Sequence, residues 1–272
     1  MRKLSLLIVA VAIVVLVCAD SGSAQLFWRL RWRRPDFQPE PIPAPASKTF
    51  VSPVTGKTHT LTHTGEFFES KELPPAPKTT TPGAGIDDFN PSSNPQRLVA
   101  KLSIAPGDVE TFANIDDLRK SLPAEAVMQK HKPPITRATD SDRVDEEKRN
   151  VRVTAFIYTI SHEGDNDFHV IIGGQPEDPE RLYMNVEVAG LPPVGNPFRE
   201  PLQKARDQFK SFFGAHLPGA GFHDVKEPIP VQVTGSLFYD ISHTPDAPGP
   251  KDRKPHTSWE IHPVTDIQFL KK

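Results

Sequence analysis

The chain has 272 residues, with 32 Lys+Arg against 34 Asp+Glu, 30 Pro and a single Cys. That length allows one or two domains, and one Cys excludes an intramolecular disulfide and any multi-cysteine zinc or iron–sulfur centre. A net charge of −2 gives no global attraction to nucleic acid or anionic membranes, and the high proline content points to part of the chain being extended rather than folded.

Arg2 and Lys3 precede an apolar run over residues 6–18, and Gly22, Ser23 and Ala24 offer small residues for cleavage before Gln25. This is the pattern of a secretory signal peptide over residues 1–24. The apolar stretch is shorter than the roughly 20 residues that cross a bilayer, with an uncleaved N-terminal anchor as the alternative. Val17 stands before Cys18 where a lipobox carries a small residue, which favours signal cleavage over lipidation. Cleavage after Ala24 leaves a thiol-free chain, as suits an exported protein. The expected location is secreted, periplasmic or cell-envelope, in a bacterium.

Residues 25–95 read as a Pro-rich linker. Pro35, Pro39, Pro41, Pro43 and Pro45, then Pro74, Pro75, Pro77 and Pro82, remove amide donors and fix φ, which disfavours helix and sheet. One β-prone island, from Phe50 to Leu61 and on to Phe68, predicts a small hairpin, marginal if it stands alone. Trp28, Arg29, Arg31, Trp32, Arg33 and Arg34 form a basic-aromatic cluster; a solvated start is preferred to a contact with an anionic surface or polymer, because no scaffold presents them. Residues 96–143 form a helical and irregular lead-in, with Asn114 capping a short helix that Pro123 stops. The charged run from Asp140 to Lys148 reads as a solvated approach to the next strand.

Residues 144–272 carry the pattern of a compact domain. A β-branched and aromatic strand runs over 151–160, and a turn at Gly164–Asp167 leads to a strand over 168–172. Residues 182–188 alternate strictly, Leu182, Met184, Val186 and Val188 against Tyr183, Asn185 and Glu187, predicting a half-buried strand. Asn196 and Pro197 open a helix whose Leu202, Ala205, Phe209, Phe212 and Phe213 recur at helical spacing, and Gly214 ends it. A fourth strand over 229–239 contains Gly235, a signal of a bulge or bend. The last strand starts at 258 and continues past Pro263. The fold class expected is mainly β: a five-stranded OB-like Greek-key barrel with a helix between its third and fourth strands, a different small barrel or α+β sandwich being the rival.

Three stretches add a resemblance. Glu163-Gly164-Asp165-Asn166-Asp167-Phe168-His169, the run from Thr234-Gly235 through Phe238 and Asp240 to His243, and Glu260-Ile261-His262-Pro263-Val264 resemble the E-x-D-x-D-x-H, T-G-x-x-F-x-D-x-x-H and E-[IL]-H-P-V motifs of a family of exported bacterial domains. The resemblance covers about residues 140–269. It implies an OB-like fold and carries no activity.

His169, Asp240, His243, Glu260 and His262 are ligand-type residues near strand ends, and Glu260 and His262 project from one side of a strand. Imidazoles with carboxylates suit a divalent ion. Asp165, Asp167, Tyr183 and Glu187 are further candidates for ligand contact. The plainer reading makes Asp165-Asn166-Asp167 a hairpin turn, and His262 a strand-end pin donating to a carbonyl. No H-E-x-x-H, EF-hand or G-x-S-x-G motif is present. Acidic residues outnumber basic ones over 151–272, against a nucleic-acid groove. The preferred function is a non-enzymatic envelope binding or interaction module, without cofactor, engaging a protein or cell-wall component. The alternatives are a metal-dependent, nuclease-like hydrolase and a nucleic-acid-binding OB domain.

Overall fold

The fold is that of a computed structural model, which describes residues 46–65, 85–93, 95–244 and 246–271. The expected signal peptide, the basic-aromatic cluster and most of the Pro-rich linker lie outside the described residues.

The described chain is mixed α/β and consists mostly of strands in one eight-stranded sheet. In chain order the elements are β1 (Ser47–Val51), β2 (Thr58–His63), α1 (Leu98–Lys101), β3 (Val109–Phe112), α2 (Ile115–Lys120), α3 (Glu125–Met128), β4 (Asn150–His162), β5 (Phe168–Gly173), β6 (Tyr183–Val188), α4 (Arg199–Phe213), β7 (His223–Tyr239) and β8 (Trp259–Phe269). The sheet order is β1-β2-β7-β8-β6-β5-β4-β3, and a further β7–β4 pairing joins β4, β5, β6, β8 and β7 into a partial ring of five strands. All ring pairings are antiparallel except β6–β8, which is parallel and only two residue pairs long. No helix among the described residues is long and apolar enough to cross a membrane.

The ring buries one face of each strand. Phe168, Val170 and Ile172 of β5, Met184, Val186 and Val188 of β6, Leu237 and Tyr239 of β7, and Trp259 and Ile261 of β8 share the main core. The period of two then sends their neighbours to the opposite face. Helix α4 lays Leu202, Ala205, Phe209, Phe212 and Phe213 onto the core, with the Phe209 and Phe168 rings 4.9 Å apart. It starts at Arg199, two residues later than the sequence pattern predicts, because the Asn196 side chain accepts from the Phe198 amide and closes a turn before the first helical turn. Asn114 caps α2 as expected, accepting from the Asp117 amide at 2.9 Å.

Gly235 sits at a register shift between β7 and β8. A Cβ there would run into the Pro263 carbonyl oxygen and the Ile261 side chain, so only glycine lets the two backbones approach at the bulge.

Three expectations are corrected. The hairpin β1–β2 forms, but it does not stand alone: Leu61 of β2 pairs with Val225 of β7, and Phe50 and Leu61 enter the main core. Strand β6 is buried on both faces rather than one, because another segment of chain covers its outer side. The charged run before β4 is not simply solvated. Glu147 is fully buried and accepts from Arg97 at 2.7 Å through both carboxylate oxygens. Arg143, also buried, donates to the carbonyls of Ala100, Ser103 and His262, each at 2.7 Å, and to that of Leu237. Charges that satisfy most of their donors in this way can leave water, although the Nε of each arginine stays without a partner among the described residues.

Candidate metal centre

The outer face of the ring carries a concentration of buried polar side chains. Register builds it. His169 of β5 stands opposite Glu187 of β6, and Asn185 of β6 stands beside Glu260 of β8. His262 follows two residues after Glu260 on the same face. Asp240 and His243 follow the end of β7, and Glu163, Asp165 and Asp167 belong to the β4–β5 turn, which Asn166 closes at φ 78. His169, Asn185, Glu260 and His262 are 0% exposed.

Residues 85–105 seal the face. Phe89 and Asn90 donate backbone hydrogen bonds to the carbonyls of Leu191 and Asp165. Asp87 holds this segment to α4 by ion pairs with Arg206 and Lys210. Further along, the Arg97 guanidinium lies 4.7 Å over the Phe238 ring, and the Lys101 ammonium reaches to 3.7 Å from Asp240 Oδ2.

Beneath this segment the side chains form three triads, the first two sharing Glu187, each with its ligand atoms within 4.8 Å of one another: Glu163, His169 and Glu187; Asp167, Glu187 and His262; and Asp240, His243 and Glu260. His169 Nδ1 is 2.8 Å from Glu187 Oε1 and 3.0 Å from Glu163 Oε1. His262 Nε2 is 3.5 Å from Asp167 Oδ2 and its Nδ1 is 3.9 Å from Glu260 Oε2. Among the described residues, neither nitrogen of His262 has a hydrogen-bond partner of acceptable geometry. Glu187 Oε2, Glu260 Oε2 and Asn185 Oδ1 are orphaned in the same way. Buried polar groups left like this cost about 1–3 kcal/mol each. The expected strand-end pin, a bond from the His262 ring to a carbonyl, is not made.

The electrostatics match the geometry. Burial pushes the Glu187 carboxyl up to about 8, against the pull of the His169 imidazole. Burial, reinforced by the Asp165 and Glu187 charges, raises Asp167 well above the usual carboxylate range. Burial also drives the His262 imidazole down to about 4, which keeps it in the neutral form that ligates metals. At His169 burial works the other way, but the Glu187 and Glu163 carboxylates outweigh it and raise the imidazole well above its ordinary value. Burial thus makes the charged forms of Glu187 and Asp167 costly, and a divalent cation would offset that cost.

The nine candidates from the sequence divide. His169, Asp240, His243, Glu260, His262, Asp167 and Glu187 all join the triads, though His169 does not share one with Glu260 or His262. Asp165 serves the turn, accepting from the Asp167 amide at 3.2 Å. Tyr183 stands apart, in a cleft with Tyr158, Arg181, Lys226, Arg253 and His256, its ring edge-on to Tyr158 at 5.2 Å. Sequence reasoning did not single out Glu163, Asn185 or Lys101. The first stands in the same alternating E-x-D-x-D-x-H run as His169, and the second shares the alternating face of Glu187, so both were within reach of the pattern. Lys101 arrives from a distant segment and left no local signal.

Comparison with family models, with curated proteins and with solved structures found no match.

Proposed function

We propose that the chain is an exported cell-envelope module with an OB-like barrel, that it works by binding rather than by catalysis, and that the outer face of its ring holds divalent metal. The ring order, the one parallel pairing and the helix between β6 and β7 support the OB-like reading. The charged start, apolar run and small residues of the N-terminus support export. The observation that carries the metal reading is His262, a fully buried, neutral imidazole set between Asp167 and Glu260 with no hydrogen-bond partner on either nitrogen among the described residues.

Binding is favoured over catalysis because the face is closed. Structural metal sites are shut by their own ligands, whereas catalytic ones keep a position for substrate. A hydrolase is the second reading, favoured by one observation: the His243 side chain is 30% exposed and gives the Asp240–His243–Glu260 triad an edge on solvent. The acidic face gives a nucleic-acid ligand no support. A protein or cell-wall partner would engage elsewhere, and the Tyr158–Tyr183 cleft offers aromatic rings beside Arg181, Lys226 and Arg253 for it.

The test is thermal unfolding of the full chain with Zn²⁺, Mn²⁺, Ca²⁺ and a chelator. A cation that binds only the folded state raises the melting temperature. The expected result is a rise with Zn²⁺ or Mn²⁺ that the chelator reverses and that His262→Ala abolishes. A flat response of the unmutated chain to every ion overturns the metal reading.

A further inference from the structure

Two of the triads share Glu187, and that overlap has chemical content. We propose that the centre is built for two divalent ions, with the Glu187 carboxylate bridging them. This rests on the metal reading above and specifies its stoichiometry and its bridging ligand.

Glu187 is common to two of the triads, and its partners differ on the two sides. On one side His169 Nδ1 lies 2.8 Å from its Oε1, with Glu163 closing on the same nitrogen at 3.0 Å. On the other side stand Asp167 and His262, the pair 3.5 Å apart. Tetrahedral ligands with bonds of about 2.0–2.1 Å to one ion lie about 3.3 Å from each other, close to the Asp167–His262 spacing, while the 2.8 and 3.0 Å contacts on the other side are hydrogen-bonded ion pairs of His169 whose proton an ion would displace. The second oxygen of Glu187 is buried and has no hydrogen-bond donor among the described residues. A carboxylate with one oxygen directed at each half of a site is the ordinary means of joining two ions.

Each half then supplies one imidazole and one carboxylate of its own plus a share of Glu187. Nitrogen with oxygen in that ratio selects Mn²⁺, Fe²⁺ or Zn²⁺. It gives too few oxygens for Ca²⁺ and no sulfur for Cu⁺. The third triad belongs to the surround rather than to the ions. The Lys101 ammonium already stands 3.7 Å from Asp240, and Glu260 faces the far nitrogen of the His262 ring at 3.9 Å. A carboxylate behind a ligating histidine fixes its tautomer and orientation. Arg143 adds a second hold, donating to the His262 carbonyl at 2.7 Å.

The experiment loads the full chain with Mn²⁺, removes excess by dialysis, counts metal per chain by elemental analysis and records the electron paramagnetic resonance spectrum. Expected are two Mn²⁺ per chain with a spin-coupled spectrum, and loss of the coupling with at least one ion in Glu187→Gln. His243→Ala keeps both ions. One Mn²⁺ per chain with the spectrum of an isolated ion overturns the bridge and leaves the metal reading intact. No bound Mn²⁺, with no bound Zn²⁺ in a parallel loading, overturns both. An ion lost in His243→Ala overturns the assignment of the third triad to the surround. If Glu187→Gln does not fold, the count and coupling of the unmutated chain decide alone.

Discussion

The Arg143 guanidinium, buried in front of β4, donates to the main-chain carbonyl of His262 on β8 at 2.7 Å. One side chain outside the ring thereby fixes the backbone of the histidine at the centre of the candidate site. Its remaining bonds go to the carbonyls of Ala100, Ser103 and Leu237. Arg143→Met removes four hydrogen bonds to buried carbonyls, of which that of Ala100 keeps the Ser103 amide and hydroxyl as donors, and we expect a loss of about 3–5 kcal/mol in urea unfolding. Metal affinity falls with it if His262 is a ligand.

The Arg97–Glu147 pair is a second buried charge device. Both side chains are almost fully buried, and Glu147 also accepts from the amides of Val144 and Tyr239. Glu147→Gln keeps the shape but removes the charge opposite Arg97, with an expected cost of about 3–5 kcal/mol. Arg97→Met combined with Glu147→Leu costs less than the two single changes added together. A double-mutant cycle in denaturant measures the difference.

Gly235→Ala tests the bulge. The added methyl meets the Pro263 carbonyl and Ile261, so the β7–β8 backbones must separate. The expected cost is about 1–3 kcal/mol, read as a fall in melting temperature, and an unchanged melting temperature would show that the strands part freely.

Acid sensitivity has a named source at Asp87. Burial works to raise its carboxyl, but the hydrogen bonds and charges of Lys210 and Arg206 outweigh it and hold the carboxyl below its ordinary value of 3.8. A carboxylate lowered in the folded state stabilises the protein above its unfolded value, and the gain is lost as pH falls through the lowered one. Residues 85–90 should therefore loosen from α4 below about pH 3.8. Asp87→Asn abolishes that part of the acid slope when unfolding is followed from pH 5 downward, with the pH range set by the ordinary carboxylate value.

Lys101 competes with any ion bound nearby. Its ammonium faces Asp240 at 3.7 Å within the sealed face. Lys101→Met removes a like charge, and Mn²⁺ affinity should rise roughly three- to tenfold in a titration at low salt. Unchanged affinity would place the ion outside the reach of Lys101.

The five ring strands and the long helix were legible because their residues repeat at periods of two and 3.6, and Gly235 announced its own bulge, whereas β3, within the expected helical and irregular lead-in, was not. Part of the site was legible for the same reason, since Glu260 and His262 share a strand face by spacing and Glu187 falls on the polar face of its alternating strand, but the register that brings them beside His169 was not. What escaped is non-local. Arg143 and Glu147 look like surface charges until Arg97 and several carbonyls meet them from elsewhere in the chain. Strand β6 looks half-buried until residues 85–105 are laid across it. The β1–β2 hairpin looks isolated until Leu61 finds Val225. No periodicity within a window reports a partner on another segment.

The placement of residues 85–105 over the polar face also governs exchange with solvent. A cluster covered on one side by the sheet and on the other by its own upstream chain meets solvent only at its margins, where the Glu163 and His243 side chains are 20% and 30% exposed. The four residues at its middle, His169, Asn185, Glu260 and His262, reach water only when that segment lifts, so the rate at which residues 85–93 open sets the rate at which the buried middle exchanges with its surroundings.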